Sequence, residues 1–295
     1  MSLPRIAIAT CADYADLKVD DKLLREALRA RGAEATAVVW DGREADWSGF
    51  DACLIRSTWD YHEKHPEFLT WARRVEAAMP LWNPAAMVAW NSNKTYLREL
   101  AEGGVRIVPT VWIERGEQPD LSEVLAAQGW VEAVVKPVID LGARNLTRLR
   151  IAEGQAALAR ILTQHDAMVQ PYLPSLEERG ELSLIYIAGQ LSHAVRKRPA
   201  PGDFRVQSIW GGSVEPAEPT PEHVELAEGA LVQVAPTPLY ARVDLVSGLD
   251  GRPCLIELEL IEPNLYLSTH PPAIDALADA ALLRIDVDAD RDVLE

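Results

Sequence analysis

Hydrophobic positions change their period along the chain, and the changes mark out three stretches. In the first, a short apolar run over 5–10 is followed by a helical repeat over 17–31 that stops at Gly32, then by an apolar run over 35–40. Further apolar runs at 51–56 and 80–83 flank a helical repeat over 66–79. Strands alternating with helices predict a parallel, doubly wound, Rossmann-like α/β domain across residues 1–90. The second stretch, 91–173, opens with Asn91-Ser92-Asn93, residue types that cap a helix over 94–101, and Gly103-Gly104 ends it. Strands at 107–113 and 131–138, a glycine-bearing loop at 140–145, a strand at 146–149, a helix at 152–162 and an apolar strand running into a hinge at 167–173 complete it. The third, 174–295, reads as α+β. It has a hairpin over 182–187 and 191–195, a helix over 221–234, two acid-bearing strand-like runs at 239–246 and 254–264, a closing helix over 272–283 and an acidic tail expected to fray.

The acid-bearing strands carry the first chemical signal. Successive strand side chains point to opposite faces, so Glu257 and Glu259 share one face while Leu258 and Leu260 take the other. Two carboxylates about 7 Å apart on one strand repel by roughly 2 kcal/mol at an effective dielectric of about 20. Water absorbs that cost on an exposed face; in a cleft a divalent cation does so. Asp244 on the preceding strand supplies a third oxygen donor, and the three together make an all-oxygen Mg²⁺ set. Glu262, three residues beyond Glu259, falls on the other face if the strand stays regular.

Basic residues complement these acids. Lys136 sits within an apolar strand, where an ammonium needs either a partner such as phosphate or a route for its head to reach solvent. Beyond it, Gly142-Ala143-Arg144-Asn145 can form an anion-facing turn or a plain loop. Arg196, Lys197, Arg198 and Arg205 gather at the end of the hairpin, suited to a polyphosphate or a carboxylate, or to balancing surface charge. The run Arg56-Ser57-Thr58-Trp59-Asp60-Tyr61 follows a buried strand at the end where open α/β sheets bind ligands.

Composition narrows the field. The 295 residues carry a formal net charge of −16, which argues against nucleic acid or an anionic membrane as partner. No apolar stretch reaches the ~20 residues of a membrane span, and the start of the chain lacks a signal-peptide pattern. Cys11, Cys53 and Cys254 are far apart and form no CxxC pair, as expected for reduced thiols in a cytoplasm. Cys11 follows the first strand, where it is either a nucleophile or a packed thiol. Neither GxGxxG nor GxxxxGK[ST] is present.

The order Lys94, Lys136, glycine loop, hinge, Glu181, basic hairpin, Asp244 and Glu257-x-Glu259 resembles the ATP-grasp superfamily, in its glutathione-synthetase-like branch, and within it D-cycloserine-synthetase-type ligases. The resemblance implies an ATP-grasp fold and ATP with Mg²⁺, in two ions, held by Asp244, Glu257 and Glu259. It implies Lys94, Lys136 and the Gly142 loop at the nucleotide, Gln170-Pro171-Tyr172-Leu173 along adenine, and Glu181 at the ribose. Catalytic cations are expected at Lys197, Arg198 and Arg205, and substrate recognition at Arg56, Ser57, Thr58 and Asp60. The implied activity is carboxylate–amine ligation through an acyl phosphate on a small amino-acid-like substrate, including ring closure within one molecule, with a homodimer as the expected assembly. Peptide modification, phosphotransfer and nucleotide sensing without turnover are the alternatives.

Overall fold

In the computed structural model, residues 3–43, 45–140, 147–149, 151–200, 206 and 211–292 are described. They build three sheets. The first contains strands β1 (Arg5–Thr10), β2 (Glu34–Val39), β3 (Ala52–Ser57) and β4 (Leu81–Trp82), all parallel, in the order β2-β1-β3-β4. Parallel strands are covered on both faces, so β1 and β3 read as continuous apolar runs. Ile6, Ile8 and Leu54 pack beneath helix α1 (Val19–Ala30), while Ala7, Ala9, Cys53 and Ile55 pack beneath helix α2 (His65–Glu76).

After β4 the chain forms a helix that sequence reasoning did not anticipate, α3 (Ala85–Asn91), followed by α4 (Tyr96–Glu102). Asn91 is therefore not the helix cap expected for it; it ends α3. The expected strand over 107–113 shrinks to β5 (Val111–Ile113), because Pro109 has no N–H for a ladder and the preceding residues turn elsewhere. Helix α5 (Leu121–Gln128), also unanticipated, starts where the Asp120 side chain accepts the Ser122 N–H at 2.7 Å. With β6 (Ala133–Pro137), β7 (Thr147–Leu149), α6 (Ile151–Ile161) and β8 (Ala167–Pro171), this region makes the second sheet, antiparallel, in the order β5-β8-β6-β7.

The third sheet follows the short helix α7 (Ser175–Arg179). Strands β9 (Glu181–Ile187), β10 (Gln190–Arg198), β11 (Ser213–Pro216), β12 (Tyr240–Ser247) and β13 (Pro253–Glu259) lie in the order β11-β10-β9-β12-β13, with helix α8 (Pro221–Leu231) between β11 and β12. Its apolar face carries Leu182, Leu184, Tyr186, Val243, Leu245 and Leu258 and packs with α4 and α8 into one core. The closing helix α9 (Pro272–Asp292) runs on through the acidic segment expected to fray. It packs beside α1 on the first sheet, where Arg31 bonds Asp275 and Asp279 at 2.9 and 2.5 Å.

Strand β13 is an edge strand, and an edge leaves backbone groups without partners. Side chains supply them. Asn91 donates Nδ2 to Leu258 O and accepts Leu260 N–H, both at 2.8 Å, imitating a neighbouring strand. Tyr96 Oη accepts Leu258 N–H at 2.9 Å, and the segment 106–108 bonds Leu255 through its backbone. Leaving a buried backbone group unsatisfied costs ~1–3 kcal/mol, so Asn91→Ala should lower unfolding stability in urea by about 2–4 kcal/mol, with the melting transition still cooperative.

Candidate active site

Register alone brings the functional face together. In the ladders of the third sheet Lys197 lies opposite Glu181, Ser183 opposite Asp244, Asp244 opposite Glu257, and Arg242 opposite Glu259. Residues two apart on a strand share a face, so all of these side chains project from the side of the sheet opposite the apolar core. Oxygens of Asp244, Glu257 and Glu259 lie within 4.8 Å of one another. A register shift between Asp244 and Leu245 keeps Glu257 beside Asp244.

Such a concentration of buried acid needs cations. Asp244 is almost wholly buried and takes bonds from Arg242 Nε at 2.9 Å, Arg242 Nη2 at 2.8 Å, Lys197 Nζ at 3.1 Å and Ser183 Oγ at 2.5 Å. Burial works to raise its carboxyl, but Arg242 and Lys197 hold it well below the usual range. Arg242 also reaches Glu259, and Lys197 reaches Glu181. Burial outweighs these cations for the outer two, pushing Glu259 and Glu181 each up to about 7. Glu257 is the reverse case. Burial raises it, but Lys94, at 2.9 Å, and Lys136 bring it below its ordinary value.

Lys94 sits just before α4 rather than within it, and its ammonium also donates to Asp140 O at 2.8 Å. Lys136 on β6 is half-buried, and among the described residues its ammonium has no hydrogen-bond acceptor. Desolvation first, then the neighbouring Lys94, brings it down to about 8. Along the hinge, Gln170 donates Nε2 to Thr110 Oγ1 at 2.9 Å, and Tyr172 N–H bonds Glu132 O at 2.9 Å. Pro171 carries no N–H and pairs with Ala133. The Leu173 N–H has no backbone acceptor among the described residues. After α7 the chain turns tightly at Gly180, with φ +75°, where a Cβ would lie 2.2 Å from Lys197 O.

Several expected positions fall elsewhere. Lys197 is buried between Glu181 and Asp244 at the base of the cluster, so it balances acids there. Arg198 points to the opposite face of β10, exposed, and pairs with Glu215 at 2.9 Å, because alternation separates it from Lys197. Gly142 and Arg205 lie outside the described residues. Arg56 and Ser57 both bond Asp21, and Arg56 Nη2 donates to Pro263 O at 2.8 Å. Thr58 is buried beside them. Asp60 turns away to accept Trp40 Nε1 at 2.8 Å. Cys11 is a packed thiol whose pKa burial raises, and His193 is tied to Leu265 O at 3.0 Å.

Arg56 and Ser57, with Asp21, Trp59, Glu262 and Tyr266, line a cavity of about 160 Å³. Sequence reasoning missed Arg242, although an Arg two residues before Asp244 on an alternating strand shares its face. It also missed Asp21. Glu262 was placed on the far side; the strand in fact ends at Glu259, so alternation no longer governs the residues after it, and Glu262 turns into the cavity.

The donor set fits the groups such a face would take. Carboxylate oxygens within 4.8 Å suit a hard divalent cation, and a desolvated ammonium without an acceptor suits a phosphate. Comparison with known proteins agrees. Residues 6–83 match the family described as D-cycloserine synthetase DcsG, N-terminal domain, and residues 100–269 match the prokaryotic glutathione synthetase ATP-grasp domain. The cycloserine biosynthesis protein DcsG of Streptomyces lavendulae is 32% identical over 278 residues, covering 89% of this chain and 93% of that protein. The crystal structure of D-cycloserine synthetase DcsG superposes with a TM-score of 0.87 at 30% identity, covering 95% of this chain and 99% of that one. A D-alanine–D-alanine ligase from Bacillus anthracis, solved with ATP, shares the fold alone, at 16% identity and TM-score 0.70 over 98% of this chain and 99% of that one. The chain belongs to the ATP-grasp family and is an ATP-dependent ligase. Among the described residues, no helix is long and apolar enough to cross a membrane.

Removing one partner of a buried ion pair costs ~3–5 kcal/mol. Arg242→Met leaves Glu259 without its cation and Asp244 with only Lys197 and Ser183, so urea unfolding should show a loss within that range. Arg242→Lys should recover only part of it, because an ammonium cannot span both carboxylates as the guanidinium fork does.

Proposed function

We propose that this ligase closes a ring within a single small α-amino acid, joining its carboxylate to a nitrogen of the same molecule, a reading supported by its similarity to a protein named D-cycloserine synthetase. The observation that carries the reading is the cavity of about 160 Å³ beside the acid cluster. Clefts for drug-sized ligands are about 300–1,000 Å³, so the size of this one suits a compact group such as a single amino acid.

In this reading one substrate carboxylate oxygen attacks the γ-phosphorus of ATP and ADP leaves. The nitrogen then attacks the acyl carbon of the acyl phosphate, inorganic phosphate departs, and the nitrogen gives up a proton as the C–N bond forms. The protein's share is positioning and charge neutralisation. Asp244, Glu257 and Glu259 would hold Mg²⁺, in two ions, which supplies compensation for the polyphosphate charge. Lys94 and Lys136 would bind phosphate oxygens, with the Gly142 loop and Arg205 assigned to the same end of the nucleotide. The hinge 170–173 would present the Leu173 N–H to adenine, and Glu181 would take the ribose hydroxyls. Arg56, Ser57 and Thr58 belong to the substrate side. The reading divides the chain into units 1–90, 91–173 and 174–295, with a homodimer as the assembly and the cytoplasm as its compartment.

The test is ADP release with Mg²⁺ and a panel of D- and L-α-amino acids bearing a second nitrogen, with free phosphate and product mass measured together. One phosphate per ADP and a product without phosphorus are expected. Lys136→Ala and Glu257→Gln should each lower kcat/KM about 100-fold or more. A phosphorylated product, or both variants within threefold of wild type, would overturn the reading.

A further inference from the structure

The cavity holds two buried ionic groups with bonding capacity left over. Glu262 is 5% exposed and lines the cavity. Among the described residues no donor bonds its carboxyl; only its backbone carbonyl is engaged, by Trp59 Nε1 at 3.0 Å. Arg56 is 3% exposed, with Nε on Asp21 and Nη2 on Pro263 O, while Nη1 has no acceptor among the described residues. Buried ionisable groups in folded proteins are normally paired.

The other charged groups lining this cavity are already occupied. Asp21 is bonded by Arg56 and Ser57. Asp20 accepts the backbone N–H groups of Leu267 and Ser268 at 2.7 and 3.2 Å. Lys18 lays its ammonium over the Trp59 and Tyr14 rings, 3.9 and 4.8 Å from their centroids. Lys94 and Arg242, the cations that act on Glu262 from the acid cluster, are bonded to Glu257 and to Asp244 with Glu259. What remains without a hydrogen-bond partner on the carboxylate side is Glu262, lining a small space that the Lys18 ammonium also borders, whereas Arg56 Nη1 is enclosed and its guanidinium lies over the Tyr240 ring.

We propose that Glu262 receives the α-ammonium of the substrate. This deepens the small-amino-acid reading above and rests on it. The placement is consistent with the chemistry, since an α-ammonium lies next to the reacting carboxylate and Glu262 stands in the field of Glu259 and Glu257. Burial, and then Glu259, push the Glu262 carboxyl well above its usual range, a condition that an arriving ammonium reverses. A site built around an unsatisfied carboxyl rejects an isostere that lacks the ammonium, because the buried group then stays unpaired.

The experiment compares kcat/KM for ADP release across the amino-acid panel with matched acids in which the α-amino group is replaced by hydroxyl. ATP binding is followed separately by calorimetry. The wild-type chain should favour the amino members at least 100-fold. Glu262→Gln should cut kcat/KM for the amino members at least 50-fold and bring the two classes within about threefold of each other, with ATP affinity unchanged. Glu262→Asp, which keeps the charge, should retain at least tenfold discrimination and confirm that the site still folds. If ADP forms but Glu262→Gln leaves the discrimination intact, the ammonium receptor is wrong while the ligase reading stands. If no panel member elicits ADP release although ATP binds, the small-substrate reading itself falls, and the receptor with it.

Discussion

Everything about this site follows from confining Glu181 and Asp244, both buried, with the half-buried Glu257 and Glu259, to one face of a sheet. Carboxylates so close cannot all stay ionised without compensation. The chain answers with Lys197, Arg242, Lys94 and Lys136, one cation for each acid. The compensation is uneven. Asp244, at the centre, is held firmly ionised, while Glu259 and Glu181 at the sides are pushed up to about 7. Formally neutral as it stands, the cluster has no surplus of negative charge to attract a bare divalent ion strongly. A cation that arrives with a polyphosphate brings its own balance, and the Lys136 ammonium, which lacks an acceptor, gains one. Metal and nucleotide are therefore expected to enter as one charged unit.

The same face is tied to the first sheet by the short segment after β13. Leu260 O accepts from Asn83 Nδ2, Ile261 O lies 3.0 Å from the Tyr240 hydroxyl, Glu262 O accepts from Trp59 Nε1 and Pro263 O accepts from Arg56 Nη2. Successive carbonyls that would otherwise be buried and unsatisfied become the seam between two sheets. The cavity lies along that seam because strand β13 stops at Glu259 and the chain must turn there. The residues that fix the turn also line the pocket, so substrate geometry and domain packing are set by the same hydrogen bonds.

Much of this was legible in the sequence, and the exceptions have physical causes. The alternation of Glu257 and Glu259, the second acid-bearing strand and the lysine inside an apolar strand follow from periodicity, and the structure brings those side chains together. Arg242 escaped notice because its importance comes from cross-strand register, which pairs it with Glu259 across a distance in sequence that periodicity does not see. Glu262 falls on the far face only if the strand stays regular, and the strand ends at Glu259. Alternation also separates Arg196 and Arg198 from Lys197, and the structure agrees, with Lys197 in the acid cluster and Arg198 paired with Glu215 outside it. Helices α3 and α5 were missed because each is short and its apolar repeat covers barely two turns. The roles of Gly142 and Arg205 rest on resemblance alone, outside the described residues.

The claim that the acid cluster is balanced by cations until metal and nucleotide arrive together can be tested with Mn²⁺ as a paramagnetic stand-in for Mg²⁺. Water-proton relaxation is recorded as the protein is titrated with Mn²⁺, alone and in the presence of a non-hydrolysable ATP analogue. The account predicts weak enhancement without nucleotide and at least a tenfold tighter Mn²⁺ isotherm with it, lost in the Glu257→Gln, Glu259→Gln double variant. Equally tight Mn²⁺ binding without nucleotide, or a double variant indistinguishable from wild type, would contradict it.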